Sequence, residues 1–122
     1  MPIIDVELVC ETEAEFSAVS ATDLANAIGD ALQSPAGRTW VRLRFFGRAS
    51  YAENHVAVAK DELPAFVTVL HARPPVESAL ASEVSALTNA VAQVVGRPVE
   101  RVHVQYAPAA AGRQAFGGQL VQ

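Results

Sequence analysis

Residues that favour β-structure occur in four short segments of the chain, residues 2–9, 39–45, 66–70 and 102–106. Segment 66–70 is an apolar run, whereas segments 39–45 and 102–106 alternate between apolar and polar residues, as half-buried strands do. In segment 39–45 the alternation separates two sets of side chains that face opposite sides of the strand. One set is Val41, Leu43 and Phe45, and the other is Trp40, Arg42 and Arg44.

Hydrophobic residues recur at helical spacing after the first and the third predicted strand. Thr12 and Glu15 form a possible capping box, which predicts a helix that starts there and stops near Ser34-Pro35. Gly96 and Pro98 are typical of the end of the later helix. The earlier apolar stripe is Phe16, Val19, Leu24, Ile28 and Leu32, and the later one is Leu80, Val84, Leu87, Val91, Val94 and Val95.

The two halves of the chain are related by an internal repeat with an offset of 63 residues. Leu24 and Asn26 recur as Leu87 and Asn89, whereas Pro2 corresponds to Ala65. We therefore expect residues 1–122 to form a single domain. It divides into copy one at about residues 2–46, a connection at about 47–64, copy two at about 65–109 and a C-terminal tail at 110–122.

Each copy has the predicted order strand, helix, strand, which indicates two parallel βαβ units. The simplest assembly is an α+β fold with one four-stranded sheet and both helices on one face. The other face has no helix to cover it, and this predicts oligomerisation through that face. Its predicted residues are Trp40, Arg42, Arg44, His103 and Gln105.

Composition narrows the class of protein. Hydrophobic residues make up 51% of the chain and the mean hydropathy is +0.21, which indicates a buried subunit interface in addition to a core. Cys10 is the only cysteine, so we expect a buried thiol without a disulfide or a cysteine metal cluster. The spacing of His55, His71 and His103 does not suggest a metal site.

No apolar run matches a membrane span or a signal peptide, so we expect a cytoplasmic protein without a membrane partner.

Charge is low overall but unevenly distributed. The net charge of −4 and a pI of about 5.2 argue against a nucleic-acid partner. Residues 1–37 contain seven carboxylates and no Lys or Arg, and four arginines then follow within eleven positions: Arg38, Arg42, Arg44 and Arg48. Arginine suits both bidentate binding of a substrate carboxylate and ion pairing with the acidic first segment. Both interpretations stay open on the sequence.

Pro2 is a candidate general base. A small second residue usually allows removal of the initiator methionine, which would leave Pro2 with a free secondary amine at the start of a strand. An α-amino group titrates near about 7.7–8.0, and burial or a nearby cation lowers that pKa. The neutral amine is then able to accept a proton at physiological pH.

Three features of the chain point to a known family. They are Pro2 at the head of the first strand, the doubled βαβ unit, and the tail Gly-Arg-Gln-Ala-Phe-Gly-Gly-Gln-Leu at residues 112–120. Together they cover nearly the whole chain, which resembles the tautomerase superfamily of 4-oxalocrotonate tautomerase, the carboxymethyl-hydroxymuconate isomerases and macrophage migration inhibitory factor. The stretch Val-Leu-His-Ala-Arg at residues 69–73 also resembles the segment that carries a carboxylate-binding arginine in short members.

The resemblance implies a trimeric isomerase that needs no cofactor and no metal. Pro2 would move a proton within an enol, dienol or 2-keto acid, and one or more arginines would bind the substrate carboxylate. The implied substrate-binding residues are Arg42, Arg44, Arg73, Tyr51 and Tyr106, and Trp40 and Phe116 are candidates for apolar walls.

Some positions depart from the family pattern. The second family arginine falls on Trp40 in copy one and on His103 in copy two, and the pocket aromatic falls on Tyr51 and Gln114. Leu32 lies where the cis-3-chloroacrylic acid dehalogenase branch has a helix histidine, so isomerisation is favoured over dehalogenation. A non-catalytic ligand-binding or interaction module of the same fold is the alternative function.

Overall fold

A four-stranded mixed sheet is the centre of the fold in the computed structural model, which describes residues 2–122. Its strands are β1 (Ile3–Cys10), β2 (Trp40–Gly47), β3 (Ala65–Leu70) and β4 (Val102–Tyr106), in the order β2-β1-β3-β4. The pairs β1–β2 and β3–β4 are parallel, and the central pair β1–β3 is antiparallel. The predicted α+β class and four-stranded sheet are therefore confirmed.

The helices are α1 (Glu13–Ser17), α2 (Ala21–Ala31) and α3 (Glu77–Val95). Thr12 caps α1 as predicted, because its hydroxyl accepts a hydrogen bond from the Glu15 amide at 3.2 Å. The prediction of one continuous first helix ending near residue 34 is wrong. Ser20 caps a second helix by accepting from the Asp23 amide at 3.1 Å, and that helix ends at Ala31. Gly96 ends α3 with a left-handed φ of 69°, as predicted.

The core lies between the sheet and helices α2 and α3. Side chains from one face of the sheet pack against the two helix stripes, and the fully buried ones include Ile4, Leu8, Leu24, Ile28, Leu87 and Val91. Cys10 is buried with a free thiol, as predicted, and burial raises its pKa. None of the helices within the described residues has the length and apolarity of a membrane-spanning helix.

Arg97 joins three parts of the chain at the end of α3. Its guanidinium donates to the Val9 carbonyl at 2.8 Å and to the Leu63 carbonyl at 2.5 Å. Val9 and Leu63 are 0% and 1% exposed, so both carbonyls depend on the protein for a hydrogen-bond donor. Arg97 therefore fixes the end of β1 to the segment that leads into β3.

The other face of the sheet carries no helix and is lined by ion pairs. The β1–β2 register places Asp5 beside Arg42 and Glu7 beside Arg44. Arg42 binds Asp5 in a bidentate pair at 2.5 and 2.8 Å, and this pair holds the Asp5 pKa below its ordinary value. The arginines that form ion pairs with acidic residues of the first segment are Arg42, Arg44 and Arg48. The ion-pair interpretation is confirmed for these three.

The C-terminal tail folds back over the end of the sheet where β1 begins. The Ala110 amide donates to the His71 carbonyl at 2.8 Å, directly after β3. Strands β5 (Ala115–Phe116) and β6 (Gln119–Leu120) then form a hairpin through Gly117-Gly118, whose φ values of 58° and 85° suit glycine. Phe116 packs edge-on against Trp40 at a centroid distance of 5.2 Å.

Candidate functional site

Pro2 lines a cleft of about 440 Å³ at the start of β1. Its carbonyl accepts a hydrogen bond from the Trp40 amide at 3.1 Å, which extends the parallel pairing of β1 and β2 by one residue. Pro2 itself is buried. The backbone that carries this nitrogen is therefore held by the sheet, and the cleft lies beside it.

The loop between α2 and β2 supplies most of the remaining cleft wall. Gln33 has a φ of 53° in the left-handed region, and the Ser34 amide returns to the Gly29 carbonyl at 2.8 Å. A further turn, in which the Arg38 amide donates to the Pro35 carbonyl at 3.1 Å, precedes β2. The cleft residues are Pro2, Leu32, Gln33, Ser34, Pro35, Arg38 and His71.

Arg38 differs from the other arginines of its cluster. Arg42, Arg44 and Arg48 are paired with carboxylates, whereas Arg38 has no carboxylate partner among residues 2–122. It lines the same cleft as Pro2. A guanidinium in that position is available to a carboxylate that enters the cleft.

His71 also lines the cleft and belongs to a small polar cluster. Its Nε2 lies 3.0 Å from Oε2 of Glu83 on α3, and the Tyr106 hydroxyl donates to the same oxygen at 2.6 Å. Burial and the Glu83 carboxylate raise the pKa of Tyr106, so its phenol stays protonated as a donor. The cluster fixes the His71 ring beside the cleft.

None of the substrate-binding residues implied by the resemblance lines this cleft in a single chain. Arg42 and Arg44 are on the open face of the sheet, and Arg73 is exposed in the bend after β3. Tyr51 donates to Glu53 at 2.6 Å in the connection between the repeats. Tyr106 contacts the cleft only through the Glu83–His71 cluster.

Sequence reasoning did not single out His71, Gln33 and Arg38 as neighbours of Pro2. A usable signal existed for His71, since an antiparallel pairing of β1 with β3 places the residue after β3 beside the residue before β1. In the structure Ile3 pairs with Leu70, so His71 follows β3 beside Pro2. For Arg38 the signal was its position in a Pro- and Gly-containing loop, away from the alternating strand pattern that holds Arg42 and Arg44.

A second cleft of about 400 Å³ lies behind the same loop and shares Ser34 and Pro35 with the first. Asp30 and Thr39 are among its polar residues. The Thr39 hydroxyl is buried and has no hydrogen-bond partner within the described part of the chain. The loop therefore separates two cavities, and only the first contains Pro2.

Solved structures share this fold over almost the entire chain. A fused 4-OT solved as an asymmetric trimer has a TM-score of 0.74 at 17% identity, covering 97% of this chain and 94% of that one. Malonate semialdehyde decarboxylase gives 0.64 at 18%, covering 94% and 90%. Macrophage migration inhibitory factor from Oncomelania hupensis gives 0.70 at 20%, covering 100% and 83%. No family model and no curated protein sequence matches the chain.

These structures belong to the tautomerase superfamily, and the resemblance recognised in the sequence is confirmed for the fold. At such low identity the likeness establishes the arrangement of strands and helices.

Proposed function

We propose that this protein is a cofactor-independent tautomerase that uses Pro2 as its general base. The observation that supports this most directly is the convergence of Pro2, Arg38 and His71 on one cleft. The proposal requires removal of Met1, because only then is the Pro2 nitrogen a basic amine. With Met1 retained it is an amide nitrogen and cannot accept the proton.

The surroundings favour a neutral Pro2 amine. Pro2 is buried in the chain that carries Met1, and the burial that remains after removal of Met1 disfavours the charged form of the amine. The Arg38 guanidinium on the same cleft adds a positive charge that also disfavours a protonated neighbour. Both effects lower the pKa of the amine from its ordinary value near about 8, toward the range useful for a base at neutral pH.

The proposed substrate is a small enol, dienol or 2-keto acid with a carboxylate. Arg38 would bind that carboxylate, and neutral Pro2 would take a proton from the carbon next to the carbonyl. The electron pair of the broken C–H bond forms a C=C bond, and negative charge develops on the carbonyl oxygen. Leu32 and Pro35 supply apolar walls for the carbon skeleton.

We propose a homotrimer as the working assembly. The uncovered sheet face carries paired charges together with Trp40, which is 42% exposed, and three of the structurally similar 4-OT proteins were solved as trimers. In a trimer, Arg42, Arg44, Arg73 and Tyr51 contribute to substrate binding only through a neighbouring subunit, since they lie outside the cleft of their own chain. Sedimentation at micromolar concentration should give about three times the 12.9 kDa chain mass.

The deciding experiment combines N-terminal mass analysis with ketonisation of phenylpyruvate enol. We expect a mature chain that starts at Pro2, and a large loss of kcat in Pro2→Ala. Arg38→Ala should mainly raise KM, by about 10- to 100-fold, because a hydrogen bond to a charged group contributes about 1.5–3 kcal/mol. Lys60→Ala is the matched control, since Lys60 pairs with Glu15 beyond the opposite end of β1.

Two results would count against the proposal. Full activity in Pro2→Ala would show that Pro2 is not the base. Absence of turnover with several enol and keto acids, in a protein with a free N-terminal proline, would favour the non-catalytic binding module of the same fold.

A further inference from the structure

His71, Glu83 and Tyr106 form a hydrogen-bonded cluster at the cleft that contains Pro2. One carboxylate oxygen, Glu83 Oε2, accepts from the Tyr106 hydroxyl at 2.6 Å and contacts His71 Nε2 at 3.0 Å. The side chains of His71 and Glu83 are each only 15% exposed. Nevertheless, His71 lines the cleft that contains Pro2.

The fold brings these residues together from three elements of copy two. The pairing Ile3↔Leu70 places His71 beside Pro2, and Val69↔Tyr106 places Tyr106 on the adjacent strand. Helix α3 contributes Glu83 from above the sheet. The tail then holds the His71 backbone through the bond from the Ala110 amide.

The internal repeat shows that the cluster is specific to one half of the chain. The positions 63 residues earlier are Leu8, Ser20 and Leu43, which cannot reproduce it. Pro2 is likewise present only in copy one, opposite Ala65 in copy two. The two halves therefore bring different polar groups to one cleft across the antiparallel β1–β3 pair.

The contact with Glu83 also fixes the role of each ring nitrogen. A carboxylate oxygen accepts hydrogen bonds, so His71 Nε2 carries a proton toward Glu83. This leaves Nδ1 as the ring nitrogen that Glu83 does not engage, on a residue that lines the cleft. Tyr106 donates to the same carboxylate and so restrains Glu83 in turn.

We propose that His71 is a second proton-transfer residue of this cleft, which exchanges a proton with the substrate oxygen while Pro2 exchanges one with carbon. In the keto-to-enol direction, neutral Pro2 removes the carbon-bound proton and the C–H electron pair becomes the C=C bond. The carbonyl π pair moves to oxygen, which takes the proton from Nδ1 of the His71 imidazolium. In the reverse direction Nδ1 accepts the enol proton, the O–H pair forms the C=O bond, and the C=C π pair takes a proton from protonated Pro2 to form the C–H bond. Water then resets both groups.

This inference rests on the proposed function, and it adds two positioning residues. Glu83 and Tyr106 do not touch the substrate but orient the His71 ring. General acid–base catalysis contributes about 10²- to 10⁴-fold to rate, so His71→Asn should lower kcat by that range with little change in KM. Glu83→Gln should lower kcat by more than tenfold, and Tyr106→Phe by less, because it removes only one hydrogen bond to Glu83.

The test measures phenylpyruvate ketonisation together with covalent labelling of Pro2 by 2-oxo-3-pentynoate, the reagent that inactivated Pt0534, a protein of similar fold. Labelling reports a free nucleophilic amine and does not need His71. We expect His71→Asn to be labelled at the wild-type rate while its kcat falls. Added imidazole should restore turnover in His71→Gly. His55→Asn is the matched control, since His55 is exposed and its φ of 64° suits Asn.

The outcomes separate the two proposals. A wild-type protein that is neither labelled nor active overturns the proposed function, and this inference with it. A wild-type protein that is labelled and active, with an unchanged kcat in His71→Asn, overturns the role of His71 alone. If His71→Asn does not fold, the kcat of Glu83→Gln decides in its place: a value equal to wild type refutes the oriented histidine.

Discussion

Replacing Arg97 by methionine should destabilise the fold strongly, although Arg97 lies far from the cleft. The substitution keeps an unbranched apolar stem but removes the donors for the Val9 and Leu63 carbonyls. A buried carbonyl left without a partner costs about 1–3 kcal/mol, so two of them set an upper range of about 2–6 kcal/mol. Arg97 is itself half-buried, which allows water to reach part of the site. We therefore expect a loss of about 2–4 kcal/mol in the free energy of unfolding.

The assay is urea denaturation followed by circular dichroism, with thermal unfolding as a second measurement. An unfolding entropy of about 2.1 cal/mol/K per residue gives roughly 0.26 kcal/mol/K for 122 residues. The expected loss then lowers Tm by about 8–16 °C. All variants need the same protein concentration, because the proposed subunit association would make stability depend on concentration.

Lys60→Met is the matched control for Arg97→Met. It removes a cation whose side chain is 68% exposed and which pairs with Glu15 at 3.2 Å. Exposed ion pairs contribute at most about 1 kcal/mol, so this variant should unfold close to wild type. If Arg97→Met were no less stable than Lys60→Met, the reasoning from the two buried carbonyls would be refuted.

Three further substitutions test local features of the fold. Gly96→Ala should cost about 1–2 kcal/mol of unfolding free energy, since a Cβ is disfavoured at φ 69°; an unchanged urea midpoint would contradict this. Thr39→Val should be neutral or raise stability by about 1 kcal/mol, because the hydroxyl has no partner within residues 2–122, and calorimetry showing a clear loss would argue otherwise. The pKa of Asp5 is lowered by Arg42, so its contribution is present above the unfolded pKa of about 3.9 and is lost as pH falls through the folded pKa. Asp5→Asn should therefore flatten the decline in stability measured by urea titration from about pH 6 to about pH 2.5, and an identical decline in both proteins would exclude that role.

The sequence predicted the elements whose signals are local and periodic. Residues 102–106 form β4 as expected, and Gly96 ends α3, because alternation and a left-handed glycine reflect short-range geometry. The internal repeat predicted two βαβ units, because each copy contains the same local order of strand, helix and strand. The break between α1 and α2 was missed because the hydrophobic stripe continues across it, and only the Ser20 cap marks the interruption.

The candidate site depended on contacts between residues far apart in the chain. Sequence alone identified Pro2 as a candidate base and grouped Arg38 with three other arginines, without distinguishing their roles. Only the β1–β2 register showed that Arg42 and Arg44 lie beside carboxylates, while the loop after α2 places Arg38 on the wall of the cleft that contains Pro2. The antiparallel β1–β3 pairing brought His71 to the same cleft. The reason is physical: side-chain periodicity is set within a segment, whereas strand order and register are set by how the segments pack together.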